Sequence, residues 1–175
     1  MGIKEKIARK WLSKKAKTIQ RIPEIPDLGL VKRIGVLWQP EQKEAFYYLQ
    51  DYFSKKQVVF RHLCVYRENI ELTDEHNVLV PKDLNWLGFP KPGNIDNFME
   101  MNFDILLNIA LKQNVTLDYL TLVTKAKFKV GGGQADMENY FDLNINIGQN
   151  QNALYLAEQQ VFYLDHLKQK NKYDE

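Results

Sequence analysis

FDILLNIALKQNVTLDYLTLVTKAKFKVGGG, Phe103 to Gly133, is the stretch on which the fold turns. FDILLNIA (Phe103–Ala110) is a short apolar run with the length and character of a strand buried on both faces. A polar loop follows. Leu117, Leu120 and Val123, with Leu122, then recur at helical spacing over Val115–Lys125, a helix entered through Asn114 or Thr116 as N-cap. Lys127–Val130 reads as a further strand running into three consecutive glycines. Strand, helix and strand at these lengths form the unit of an α/β sheet.

The same alternation extends outward. RIGVLW (Arg33–Trp38), bounded by Pro40, reads as a central strand, and QVVFRHLCVY as a second. Between them Ala45, Phe46, Leu49, Tyr52 and Phe53 lie at helical spacing over Glu41–Ser54. Asn77–Pro81 suits a short strand, and Asn94–Met101 a short helix capped by Asn94. FDLNINIG (Phe141–Gly148) alternates apolar and polar residues, as a half-exposed strand near a sheet edge does. Asn152–Lys168 closes as a long helix burying Leu154, Ala157, Val161, Leu164 and Leu167. The pattern predicts a Rossmann-like three-layer α/β/α sandwich with a mostly parallel sheet, preceded by a basic N-terminal helix. One domain spans 33–170, and 171–175 form a polar tail.

Composition agrees with that class. The chain has 175 residues, 45% hydrophobic and 26% charged, which suits one globular domain with a sizeable core. No apolar run is long enough to span a bilayer. The N-terminus lacks the pattern of a signal peptide, and Lys6 stands where a myristoylation motif needs Ser or Thr. Cys64 is the one cysteine, which excludes an intramolecular disulfide and a multi-cysteine metal site. A reducing, cytoplasmic setting is the expectation.

Charge is divided unevenly. Residues 1–21 hold six Lys and two Arg against Glu5 alone, a formal +7, and the remainder carries −5. The segment from Ile3 to about Gln20 forms a basic amphipathic helix, with Ile7, Ala8, Trp11, Leu12, Ala16 and Ile19 sharing about half the wheel. Pro23, Pro26 and Gly29 make 22–32 an extended connector. Three readings of the arm stand together. It packs on the domain with its lysines solvated; it lies in an anionic membrane surface, making the protein peripheral to the membrane; or it contacts nucleic acid. A protein partner is a further possibility. Lys4, Lys6, Arg9, Lys10, Trp11, Lys14, Lys15 and Lys17 are the residues of that surface. The net field of the acidic body opposes a polyanion.

Catalytic chemistry is thin. Ser13 and Ser54 are the only serines, and neither has a nucleophile-elbow context. His62, His76 and His166 are far apart in sequence. His62 and Cys64 share one strand face, but that pair lacks the further ligands zinc needs, and Cys64 reads as a small core thiol. No catalytic residue, metal or cofactor is expected. A dinucleotide fingerprint needs Gly where Asp136 stands, and no P-loop is present.

Two local segments invite ligand readings. Gly131, Gly132 and Gly133 are either a flexible loop between strands or, with Lys125, Lys127 and Lys129, an anion site. The three lysines alternate and so share one side of a strand, solvated in the plainer reading. In KDLNWLGFPKP (Lys82–Pro92), Trp86 and Phe89 either form a binding lip, with Asp83 and Lys91 as its polar groups, or pin a loop to the core.

KDLNWLGFPKP, FDILLNIA, KAKFKVG (Lys125–Gly131) and the closing strand and helix together resemble an uncharacterised bacterial family, a domain of unknown function. The likeness covers nearly the whole chain and implies the fold without an activity. FDILLN followed by the basic strand is also similar to the N-terminal half of heptosyltransferase-type glycosyltransferases. Asp104 matches the first acid of their D-x-x-x-D-L strand, and Asn108 replaces the second. That likeness implies a Rossmann-like layer order. The function expected is a non-catalytic binding or interaction module with the basic arm as partner surface. The alternative is a small enzyme or carrier holding a phosphorylated or nucleotide-sugar ligand near Trp86, Lys91 and Lys125–Gly133.

Overall fold

The strands are β1 (Arg33–Trp38), β2 (Val59–Val65), β3 (Val78–Leu79), β4 (Phe103–Asn108), β5 (Ala126–Gly132) and β6 (Leu143–Ile145). The helices are α1 (Ile3–Ala16), α2 (Lys43–Ser54), α3 (Asp96–Glu100), α4 (Val115–Val123) and α5 (Ala153–Asn171). This computed structural model describes residues 1–71, 77–93, 95–133 and 138–171, with side chains as far as 167. His76, Asn94 as a helix cap and Asp136 lie outside those residues.

All six strands are parallel, in the order β3-β2-β1-β4-β5-β6. The expected Rossmann-like sandwich is therefore present, and strand order reverses between β1 and β4. Ile105, Leu107 and Ile109 face α2 and α5 with Ile34, Val36, Phe46, Leu49, Leu156 and Leu164. Leu106 and Ala110 face the other way, with Leu63, Leu79, Phe98, Leu117 and Leu120. Burial on both faces is why the β4 segment is apolar at consecutive positions. Asp104, at the start of β4, accepts hydrogen bonds from the Lys32 and Arg33 N–H groups at 2.7 and 3.0 Å, tying β4 to the entry of β1.

Local chemistry sets the helix ends. Asn114 Oδ1 accepts from Leu117 N at 2.9 Å, and Asn152 Oδ1 from Tyr155 N at 3.1 Å, so both asparagines cap. The α2 helix starts two residues later than expected, because Pro40–Gln42 form a 3-10 turn first. In α5 the buried residues include Leu156 and Gln160 beyond those expected, and Leu154 and Leu167 are only half-buried.

The glycine run corrects the loop reading. Gly131 and Gly132 lie inside β5 and are buried, and only Gly133 is beyond the strand. Their lack of a side chain is a packing requirement. A Cβ at Gly131 would overlap the Phe141 ring, and one at Gly132 would come within 2.7 Å of Leu156. The solvated-face reading of the lysines also fails for Lys129, which is 3% exposed and donates through Nζ to Leu122 O at 2.8 Å. Its ammonium caps the carboxyl end of α4. Burial, assisted by the Arg21 charge, lowers its pKa to about 7.

Gly131→Ala is expected to lower stability by about 2 kcal/mol through overpacking. In a Phe141→Ala background the added methyl should cost less than ~0.5 kcal/mol. Urea unfolding of the four proteins in the cycle checks this, and additive effects would show that the ring is not the obstacle.

Candidate functional site

In a doubly wound sheet, ligands sit where the strand order reverses, outside the carboxyl ends of the strands. Here buried amides occupy that crevice. Gln39, Asn108 and Gln160 are each 0% exposed. Asn108 Nδ2 donates to Gln113 Oε1 at 2.9 Å and Thr121 Oγ1 at 3.1 Å, and its Oδ1 accepts from Ala110 N at 3.0 Å. Gln160 Nε2 donates to the Asn108 carbonyl at 2.9 Å. Gln42 Oε1 accepts from Gln39 N at 2.6 Å. Among the described residues Gln39 Nε2 and Gln160 Oε1 have no protein partner, the kind of buried group that proteins generally satisfy with ordered water. Asn108 is thus a structural hub between β4, its loop and α5.

The open space lies one strand over. A cavity of about 340 Å³ sits at the carboxyl ends of β4 and β5. Leu111, Lys112 and Gln113 of the β4–α4 loop form one wall, and Gly132, Gly133, Asn139 and Phe141 the opposite one. Asp118 from the first turn of α4 and Arg9 from α1 lie between them, with Glu138 and Gln151 also lining the space. Asp118 is 3% exposed and accepts from Arg9 Nη1 at 3.2 Å, and Arg9 Nε donates to Glu5 at 3.0 Å. Burial pushes the Asp118 carboxyl up to about 6, although the Arg9 charge and hydrogen bond pull the other way. A buried carboxyl titrating near neutrality can exchange a proton with whatever occupies the cleft.

Two features place Arg9 there. Ala8 and Leu12 are fully buried against Phe89 and Leu122, and Trp11 stacks 5.8 Å from Tyr119. Beyond α1, Arg21 reaches both carboxylate oxygens of Asp142 and the carbonyls of Ala126 and Lys127. The sequence pattern puts Arg9 on an outward surface, whereas the structure turns its guanidinium to Asp118. Its i, i+4 spacing from Glu5 is visible in the sequence, whereas Asp118 is 109 positions away and gives no local signal.

The candidate residues are dispersed. Gly132 and Gly133 line the cleft, whereas Gly131 is covered by Phe141. Lys125, Lys127 and Lys129 lie along a separate groove of about 750 Å³ with Lys15, Arg21 and Glu24, toward the entry of β5. In it Lys127 pairs with Asp104 at 3.3 Å. Asp83 and Lys91 border a third, smaller hollow of about 180 Å³ with Lys82. Asp83 accepts from Val80 N, and Lys91 Nζ donates to Lys82 O. Phe89 is buried against Trp11 and Tyr119, so of the two rings it is Phe89 that pins the loop, and Trp86 is exposed. Lys4, Lys6, Lys10, Lys14, Lys15 and Lys17 are all exposed. Trp38 Nε1 donates to His62 Nδ1 at 3.2 Å, and Cys64 is buried beside Val78 and Val80. Among the described residues no group of three or more His, Cys, Asp or Glu side chains could hold a metal ion.

The sheet order and the cleft at its carboxyl edge define a Rossmann-like α/β protein. The chain belongs to a family of unknown function (DUF6913), matched over residues 4–167. No curated protein and no solved structure matches the chain, and the likeness to heptosyltransferases is not confirmed.

The raised Asp118 pKa makes stability pH-dependent. The folded state holds this proton more tightly than the unfolded chain does, whose pKa is near 3.8. The contribution is therefore fully present below pH 3.8 and is lost as pH rises through about 6. Asp118→Asn should remove that component, so the difference in stability between variant and parent changes between pH 4 and 6 and is flat from pH 7 to 8. Urea midpoints across that range test it, and parallel profiles would place the titration elsewhere.

Proposed function

We propose that the protein is a binding module that takes a small, hydroxyl-rich, phosphorylated ligand in the cleft between β4 and β5. The observation that carries this reading is the cleft itself, a cavity of about 340 Å³ at the strand edge where α/β folds hold ligands. Gln151 offers an exposed amide, which both donates to and accepts from hydroxyl groups, and Gln113 and Asn139, whose amides also bond within the chain, line the cleft beside it. Phe141 and Leu111 supply apolar surface for a C–H face, and Lys112 brings a positive charge for a phosphate. The volume is near the lower end of small-molecule sites, roughly 300–1,000 Å³, so a monosaccharide phosphate fits better than a nucleotide sugar. Arg9 is already engaged by Glu5 and Asp118, which leaves Lys112 as the basic group for the anion.

A thermal-shift series with hexose phosphates, free hexoses, inorganic phosphate and nucleotides tests the reading. Hexose phosphates should raise Tm, corresponding to about 2.7 kcal/mol when the ligand is at a hundred times Kd. Lys112→Glu and Gln151→Trp, both at exposed positions, should abolish the shift without lowering the Tm of the free protein. No stabilisation at millimolar hexose phosphate, or stabilisation unchanged in both variants, would show that the cleft does not hold such a ligand.

A further inference from the structure

The cleft leaves one part of the molecule unexplained. Most of α1 is occupied by the fold on a single face, where Ala8, Leu12 and Arg9 meet Phe89, Leu122 and Asp118. The adjoining flank carries Ile3, Ile7 and Trp11 at successive helical turns, and these are 79%, 44% and 38% exposed. Trp11 packs one side on Tyr119 and Phe89, whereas the exposed remainder of its ring and most of Ile3 and Ile7 meet no core residue. The turn that touches the helix carries a further exposed ring. Trp11 packs against Phe89 with ring centroids 4.8 Å apart, and Phe89 ends a tight turn that carries Trp86, 63% exposed.

That turn is rigidly built. Asn85 N donates to Phe89 O at 2.7 Å, and Asn85 Oδ1 accepts from Leu87 N and Phe89 N. Gly88 adopts a φ of 88°, open to glycine at no steric cost, and its carbonyl accepts from Thr116 Oγ1 of α4 at 2.8 Å. Trp86 is therefore presented on a fixed platform and does not belong to a loosely attached loop.

Lysines surround the stripe. Helical geometry places Lys4 and Lys15 along one side of Ile3, Ile7 and Trp11, and Lys14 and Lys10 along the other. Of the eight basic residues in 1–21, Arg9 and Arg21 are tied to carboxylates of the body. The six lysines are exposed, and among the described residues none of them forms an ion pair.

We infer that this flank docks the protein on an anionic lipid surface, with Ile3, Ile7, Trp11 and Trp86 entering the headgroup boundary and the lysines meeting lipid phosphates and carboxylates. Apolar residues rimmed by snorkelling lysines match a surface that is apolar below and negative above. Indole rings favour that boundary because they are amphipathic. Nucleic acid fits the charge but not the isoleucines, and the −5 of the remaining chain opposes a polyanion that spreads over the body. Among the described residues no helix is long and apolar enough to cross a membrane, so the contact is peripheral. Because α1 is already folded and docked, binding carries no cost of ordering the helix.

The inference does not depend on the cleft, and point variants test it on the full chain. Vesicles of phosphatidylcholine with 30% phosphatidylserine are sedimented with the parent protein, with Ile3→Asn/Trp86→Ala, and with Lys10→Glu/Lys14→Glu. All four positions are exposed, and circular dichroism with Tm measurement shows that each variant is folded. The parent should bind the anionic vesicles at least tenfold more tightly than pure phosphatidylcholine, and each double variant should lose at least tenfold. High salt should weaken the parent's binding. Absence of binding to the anionic vesicles overturns the proposal. So does binding that the lysine variant loses and the apolar variant keeps, since that is adsorption by charge alone. Tighter binding to a DNA duplex, lost with the same lysines, would assign the surface to nucleic acid.

Discussion

The pairing of Arg21 with Asp142 is the constraint on which the remainder of the structure rests. Asp142 also accepts the backbone N–H of Lys129 and donates its own N–H to the Lys129 carbonyl, so the carboxylate sits where the β6 approach meets β5. Arg21 adds two strand carbonyls to that contact. Both side chains are partly shielded from water, so removing one partner leaves the charge of the other poorly solvated. This guanidinium ties the chain just beyond α1 to the body, while Ala8, Leu12 and Trp11 dock the helix itself.

The position of α1 has two consequences. Its inner face brings Arg9 against Asp118 and completes a wall of the cleft beside β4 and β5. Its outer flank is turned away from the core with Trp86 beside it, and six lysines stay in water. A helix that looks like a detached basic arm is in fact built into the layer outside α4, and its two sides are committed to different chemistry. The same economy appears at the carboxyl edge of the sheet. Amides close the crevice between β1 and β4, and the cleft opens one strand further on.

Much of the architecture was legible because it depends on short-range patterns. The apolar run of β4, the helical repeats of α2 and α4 and the alternation around Leu143–Ile145 each report which faces are buried. The glycines and Lys129 were misread for a common reason. Gly131 and Gly132 are demanded by Phe141 and Leu156, and Lys129 is buried by the end of α4, through contacts that no local spacing encodes. The cleft was legible only in part. Gly132 and Gly133 drew attention as a glycine run, but Lys112, Gln113, Asp118, Asn139 and Gln151 carry no motif.

By itself the sequence determined the class of fold, the order of strands and helices and the division between a basic N-terminal segment and an acidic body. These follow from periodicity, propensity and charge, which are properties of neighbouring residues. Only the tertiary structure decided which lysine is buried, which glycines are needed for packing and which carboxyl meets Arg9. It also decided which flank of α1 remains in water. Those outcomes depend on side chains brought together across long stretches of chain, where burial changes the cost of a charge and the room for a methyl group.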